Sequence, residues 1–60
     1  MVKVEFVVTY QKIDEKEKYN ILKKTFEDLR DAILFKKQSI DSGKYKNVDI
    51  IGRSIIEILL

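Results

Sequence analysis

One pair of carboxylates in this sequence, Glu27 and Asp31, is spaced by about one helical turn and could chelate a cation. Oxygen ligands at this spacing suit a hard cation. Lys23 and Arg30, however, stand at positions from which side chains pair with Glu27 on a helix surface. We therefore interpret these residues as a solvated, charge-paired face, and we expect neither a bound metal nor a cofactor.

The composition excludes the commonest catalytic groups. The 60 residues contain no His and no Cys, so a Ser-His or Cys-His nucleophile pair and an imidazole base are impossible. Gly43-Lys44 lacks the earlier Gly and the following Ser or Thr of a phosphate-binding loop and indicates a turn. We expect that the protein is not an enzyme.

Positive charge is concentrated in a basic turn, which we define as Lys36, Lys37, Lys44 and Lys46. Residues 36–47 carry a net charge of +3, whereas the whole chain carries +2. If a helix begins just after this segment, its free backbone N–H groups and the ammonium groups together suit a phosphate. The alternative is a solvated loop without a ligand.

The first element that must position these groups is a strand over residues 2–11, where apolar and polar side chains alternate. The inner face is predicted to carry Val2, Val4, Phe6, Val8 and Tyr10. The outward face carries Lys3, Glu5, Val7, Thr9 and Gln11.

The second predicted element is a long helix that begins near residue 15. Asp14 and Glu17 have the spacing of a helix N-cap and its capping-box partner. An apolar stripe at helical spacing follows, formed by Tyr19, Leu22, Phe26, Leu29 and Ile33. The helix is predicted to end between residues 37 and 42, with Gly43 as a left-handed C-terminal cap.

The last segment is predicted to be a buried second helix that begins near Asn47. Val48, Ile51, Ile55 and Leu59 lie at helical spacing, and the charged residues Asp49, Arg53 and Glu57 are each four residues apart. Gly52 would then allow close approach to a second helix. The many Ile residues leave a second strand as the alternative.

The predicted fold class is therefore α+β, mostly α: N-terminal strand, long helix, basic turn and second helix in a single domain over residues 1–60. A core of this size supplies only about 3 to 5 kcal/mol of stability, and no disulfide or Cys/His zinc site is available to add to it. We therefore expect a homodimer.

These elements resemble the ribbon-helix-helix repressors. The resemblance is carried by the alternating strand at residues 2–11 and by the closing stretch Val48-Asp49-Ile50-Ile51-Gly52-Arg53-Ser54-Ile55-Ile56-Glu57-Ile58-Leu59. In that family two chains pair their strands into an intermolecular ribbon that enters the DNA major groove. The resemblance implies an intertwined dimer and a phosphate clamp at Asn47 and Val48.

The leading functional prediction is thus a small homodimeric regulator of transcription that binds double-stranded DNA. Its DNA-binding residues are predicted to be Lys3, Thr9, Gln11, Lys44, Lys46 and Asn47. The alternative is a protein-binding module, such as an antitoxin or an inhibitor encoded by a phage or mobile element, that docks by a strand edge or a helix. A structural, self-assembling element is the third reading.

Location is predicted from the ends of the chain. The N-terminal residues carry charges through their apolar stretch and show no signal-peptide cleavage site, so we expect a cytoplasmic protein. The apolar C-terminal segment is interrupted by charges and shorter than the roughly 20 residues that span a bilayer. No membrane association is expected.

Overall fold

A computed structural model describes residues 2–56, which form a three-stranded antiparallel sheet and one helix. The elements are β1 (Val2–Lys12), β2 (Leu22–Phe26), α1 (Leu29–Ser42) and β3 (Tyr45–Ile56). The strand order in the sheet is β2-β1-β3, so β1 is the central strand. The helix covers one face of the sheet, and we call the opposite side the open face.

The core lies between α1 and the sheet. Val8 of β1, Ala32 of α1 and Val48 of β3 form its centre, and Val8 and Ala32 are both 0% exposed. Larger side chains pack around this centre, namely Phe6, Tyr10, Phe26, Phe35, Tyr45 and Ile50. The rings of Tyr10 and Tyr45 meet edge-on with centroids 5.1 Å apart. The even-numbered positions of β1 thus face the helix, as the alternation predicted.

The helix covers only part of the sheet. Its 14 residues span about 21 Å at 1.5 Å per residue, whereas the 12 residues of β3 span about 40 Å at 3.3 Å per residue. The far end of the helix-side face is therefore uncovered, and there Val2, Val4 and Ile56 are 63%, 49% and 71% exposed. We call these three residues the overhang.

The prediction of a mostly α fold is wrong. The strand at residues 2–11 is confirmed as β1, but it pairs with β2 and β3 of its own chain. The sheet is thus intramolecular, and β1 is not one half of a two-stranded intermolecular ribbon. Only one helix is present among residues 2–56, so the ribbon-helix-helix arrangement is not formed.

The predicted long helix is replaced by a loop, a strand and a shorter helix. Glu15 accepts hydrogen bonds from the backbone N–H of Glu17 and from the side chain of Asn20, and these local bonds fold the loop at residues 13–21. The real N-cap is Asp28, whose carboxylate accepts from the N–H of Arg30 over 2.8 Å. The predicted C-terminus is confirmed: the helix ends at Ser42, and Gly43 has φ 68°.

The predicted second helix is also wrong, because residues 45–56 form the strand β3. Its residues from Asp49 to Ile56 pair regularly with β1, with Ile51 opposite Val7 and Gly52 opposite Phe6. Gly52 therefore faces an aromatic ring of the neighbouring strand and not a second helix. Residues 57–60, including Glu57 and Leu59 of the predicted helix, lie outside the described residues.

A bulge interrupts the pairing of β1 and β3 near the start of β3. Thr9 pairs with Asp49 but Gln11 pairs with Lys46, so Asn47 and Val48 together stand opposite Tyr10. Asn47 has φ 53°, a left-handed conformation that Asn tolerates better than most residues. The bulge lets Val48 enter the core while Asn47 turns towards the loop at residues 13–21.

Candidate functional site

The six residues predicted to bind DNA do not form one surface. Lys3 lies on the open face with its Nζ 2.9 Å from a carboxylate oxygen of Glu27. Thr9 is half-buried in the middle of the same face, between Lys23 of β2 and Asp49 of β3. Lys44 is exposed on the turn between α1 and β3, away from both.

The other three residues hold the protein together. Gln11 is 6% exposed, so the prediction that it faces outward is wrong. Its Nε2 lies 3.1, 3.2 and 3.4 Å from the carbonyl oxygens of Glu17, Lys18 and Asn20, and its Oε1 accepts from Asn47 Nδ2 over 2.7 Å. Lys46 Nζ donates to the carbonyl oxygen of Glu15 over 2.6 Å. These side chains fasten the loop at residues 13–21 to the sheet.

The predicted phosphate clamp is not formed. The basic turn is not formed as predicted: Lys36 and Lys37 lie in α1, Lys46 lies in β3, and only Lys44 lies between these elements. A strand and not a helix follows, and Val48 is buried in the core. The N-terminus of α1 lies elsewhere and is occupied by the carboxylate of Asp28, with Asp31 in the first turn. Acidic groups at a helix N-terminus complement the helix dipole, and they also disfavour an anionic ligand there.

The pKa values of two carboxylates, the half-buried Glu15 and the exposed Glu27, are lowered. The backbone N–H of Glu17 and the side chain of Asn20 hold the pKa of Glu15 below its ordinary value of 4.5. The hydrogen bond and positive charge of Lys3 lower the pKa of Glu27 below the same value. Both effects stabilise the ionised carboxylate, so these groups act as structural anions and not as proton donors near neutral pH.

The two edges of the sheet differ sharply. β2 has only five residues and carries Lys23 and Lys24, which are the features that protect an edge from further pairing. β3 has 12 residues, and its stretch from Asp49 to Ile56 pairs with β1 without interruption. Among residues 2–56, β3 pairs with β1 alone, so a long row of its backbone groups faces outward.

An apolar flank of α1 lies beside this edge on the helix side of the sheet. Leu29, Ile33 and Ile40 are 44%, 51% and 54% exposed, and they follow one another at helical spacing. A groove lies between this flank and β3, lined by Ile33, Lys36, Lys37, Ile40, Asp41 and Ile50. The edge of β3 and this groove together form the candidate site.

Sequence reasoning missed this site because it assigned β3 to a helix. The missed residues are Asp49, Ile51 and Arg53, which lie at alternate positions and so share the open face of β3. The signal was present as the alternative strand interpretation, since positions four residues apart share a strand face as well as a helix face.

Among residues 2–56, no group of three or more acidic side chains is placed to hold a metal ion. Within the same range there is no helix whose length and apolar character would let it cross a membrane. The chain matches no known protein family, no curated protein and no solved structure. The functional argument therefore rests on the geometry of the sheet edge and its flanking groove.

Proposed function

We propose that this protein is a protein-binding module that accepts an extended segment of its partner as an additional strand beside β3. The observation that carries the proposal is the difference between the two edges of the sheet. The β2 edge is short and carries lysines, whereas the β3 edge is long, regular from Asp49 to Ile56 and partly apolar. Unpaired edges of the second kind are templates for strand addition.

The side chains of β3 favour an amphipathic segment. On the open face, Ile51 is 54% exposed between the charged residues Asp49 and Arg53. On the helix side, Ile50 lies at the floor of the groove beside Ile33 and Ile40. An added strand with alternating side chains would place one set beside Ile51 and the other in the groove.

Binding of double-stranded DNA stays a prediction of the sequence. Three of its six residues are engaged in bonds that fix the loop at residues 13–21, and Lys3 is paired with Glu27. The geometry therefore supports the protein-binding alternative better.

The experiment is an NMR titration of isotope-labelled protein with peptides of about eight residues, a common strand length, in which Val and Thr alternate. Binding should perturb the amide signals of β3 and leave those of β2 unchanged. Two further peptides should be compared, one methylated on the backbone nitrogens of its odd-numbered residues and the other on those of its even-numbered residues. Only one edge of the added strand faces β3, so one of these peptides should lose binding and the other should retain it.

Two substitutions provide a matched pair. Ile51 and Thr25 flank Val7 on opposite sides in the sheet. Ile51→Lys places a charge on the β3 edge and should abolish peptide binding, whereas Thr25→Lys on β2 should not. Binding that maps to β2, or that ignores the phase of methylation, would refute the proposal.

A further inference from the structure

From this edge we infer that the partner is a second copy of the chain, whose β3 pairs antiparallel with the first β3 about a two-fold axis at Ile51. The inference rests on the proposed strand addition and specifies its partner and register. It would join the two sheets into one of six strands, in the order β2-β1-β3-β3-β1-β2.

The charges of β3 select this register. With the axis at Ile51, Asp49 of each copy stands opposite Arg53 of the partner subunit on the open face, and directly opposed residues of unlike charge stabilise an antiparallel pair. An axis at Asp49 or at Arg53 would instead oppose two identical charges. An axis at Ile50 or Gly52 would place Asp49 opposite an isoleucine.

Arg53 has free donors with which it can form the ion pair to Asp49 of the partner subunit. Arg53 uses Nε and Nη2 to donate to Oε2 of Glu5, at 3.2 and 3.0 Å, and its side chain remains 55% exposed. A guanidinium group has five N–H donors, so further ones can reach a carboxylate on the other side. The result would be a row of alternating charges across the junction: Glu5, Arg53 and Asp49 of the partner subunit.

The same register covers the apolar surfaces that one chain leaves open. The helix spans about 21 Å, which corresponds to roughly six strand residues, and because the turn at Gly43 connects its C-terminus to Tyr45 it lies above residues 45–51. In the paired sheet residues 46–51 of one β3 lie beside residues 51–56 of the other. Each helix is thus placed next to the overhang of its partner.

The spacing across the junction suits this packing. Residues that are directly opposite share a face, so both helices lie on one side of the joined sheet. Ala32 packs with Val8 of β1 and Val48 of β3, which places each helix above the boundary between those strands. The two boundaries are two strand spacings apart, or about 10 Å, so the side chains of each helix can reach the partner's overhang, which lies on the second boundary.

The experiment measures molar mass by light scattering and sedimentation for the wild type and two charge variants. The wild-type chain of 7.1 kDa should have twice that mass in solution. Asp49→Arg makes positions 49 and 53 both basic. The double variant Glu5→Lys/Arg53→Glu makes positions 49 and 53 both acidic, and it keeps the ion pair between positions 5 and 53 with its charges reversed. Each variant alone should be monomeric, and an equimolar mixture should form a heterodimer.

Register and helix packing have separate readouts. Ile51→Cys should form a disulfide with itself on mild oxidation, since directly opposed residues have the Cα separation that a disulfide needs, whereas Lys23→Cys on β2 should not. Ile40→Lys should raise the dissociation constant of the dimer at least tenfold. Leu34→Lys, at a residue of equal exposure (53% against 54%) that does not line the groove, should leave it unchanged.

The outcomes separate this inference from the proposed function. A wild-type monomer at the highest soluble concentration, or a dimer that survives both charge variants, would overturn the self-pairing. If that monomer still bound strand-forming peptides at β3, the protein-binding function would stand with a different partner. Circular dichroism of the charge variants confirms that they fold, and recovery of the dimer on mixing shows it independently.

Discussion

Asn47 and Gln11, which are 36 residues apart in sequence, are joined by a hydrogen bond of 2.7 Å between Asn47 Nδ2 and Gln11 Oε1. This bond connects the bulge of β3 to the side chain whose other end holds three carbonyl groups of the loop at residues 13–21. One buried amide therefore organises the end of the sheet where the loop at residues 13–21 is attached, which is the end opposite to the overhang.

Gln11→Ala should destabilise the protein by about 1 to 3 kcal/mol, because the substitution removes the hydrogen bonds that this buried amide makes to three loop carbonyl groups and to the amide of Asn47. Chemical denaturation at fixed protein concentration measures the loss. The double variant Gln11→Ala/Asn47→Ala should lose less than the sum of the single variants. Strict additivity would show that the two amides act independently.

Asn47 should be replaceable by Gly at low cost and by Val only at high cost. Gly adopts the positive φ of this position freely, whereas a β-branched residue is strained there. We expect Asn47→Val to lose about 1 to 3 kcal/mol, and Asn47→Gly to lose clearly less although both variants lack the bond to Gln11. Equal losses in thermal or chemical unfolding would mean that backbone conformation is unimportant here.

The two glycines should respond in opposite directions to alanine. Gly43 has φ 68° at the end of α1, so Gly43→Ala should destabilise by about 1 kcal/mol. At Gly52 an added Cβ would lie 3.8 Å from the ring of Phe6, an ordinary contact distance. Gly52→Ala should therefore stabilise by about 0.5 to 1 kcal/mol. Destabilisation at Gly52 would indicate that its backbone needs the freedom of glycine.

Stability should fall as the pH is lowered through 4.5. The pKa values of Glu15 and Glu27 are lowered in the folded state, so the unfolded state binds more protons in this range. Their contribution is complete above pH 4.5 and is lost as the pH falls towards the folded values. Glu15→Gln and Glu27→Gln should each flatten the dependence, and carboxyl titration by NMR should show both groups below 4.5.

Some of the fold was determined by local sequence. The alternation at residues 2–11 specified β1 and its helix-facing side, because a half-buried strand needs one apolar face. Gly43 specified the end of α1, since few other residues adopt its left-handed conformation. These signals act within a few residues and are readable without knowledge of the rest of the chain.

The remaining elements were decided by the tertiary structure. Asp49 and Arg53 are four residues apart, a spacing that shares one face of a helix and equally one face of a strand, so sequence alone left residues 45–56 ambiguous. The side of β1 that β2 does not cover favours the strand. When residues 45–56 pair there as β3, they satisfy the backbone groups of the central strand and bring Val48 and Ile50 beneath α1.

The same distinction applies to the functional residues. The sequence shows that Gln11 and Lys46 are polar, but only the fold places Gln11 inside the sheet and Lys46 against the carbonyl of Glu15. The open edge of β3 exists only because β1 already has partners on both sides. An edge is a property of strand order, and strand order depends on contacts between residues far apart in the chain, which no local pattern records.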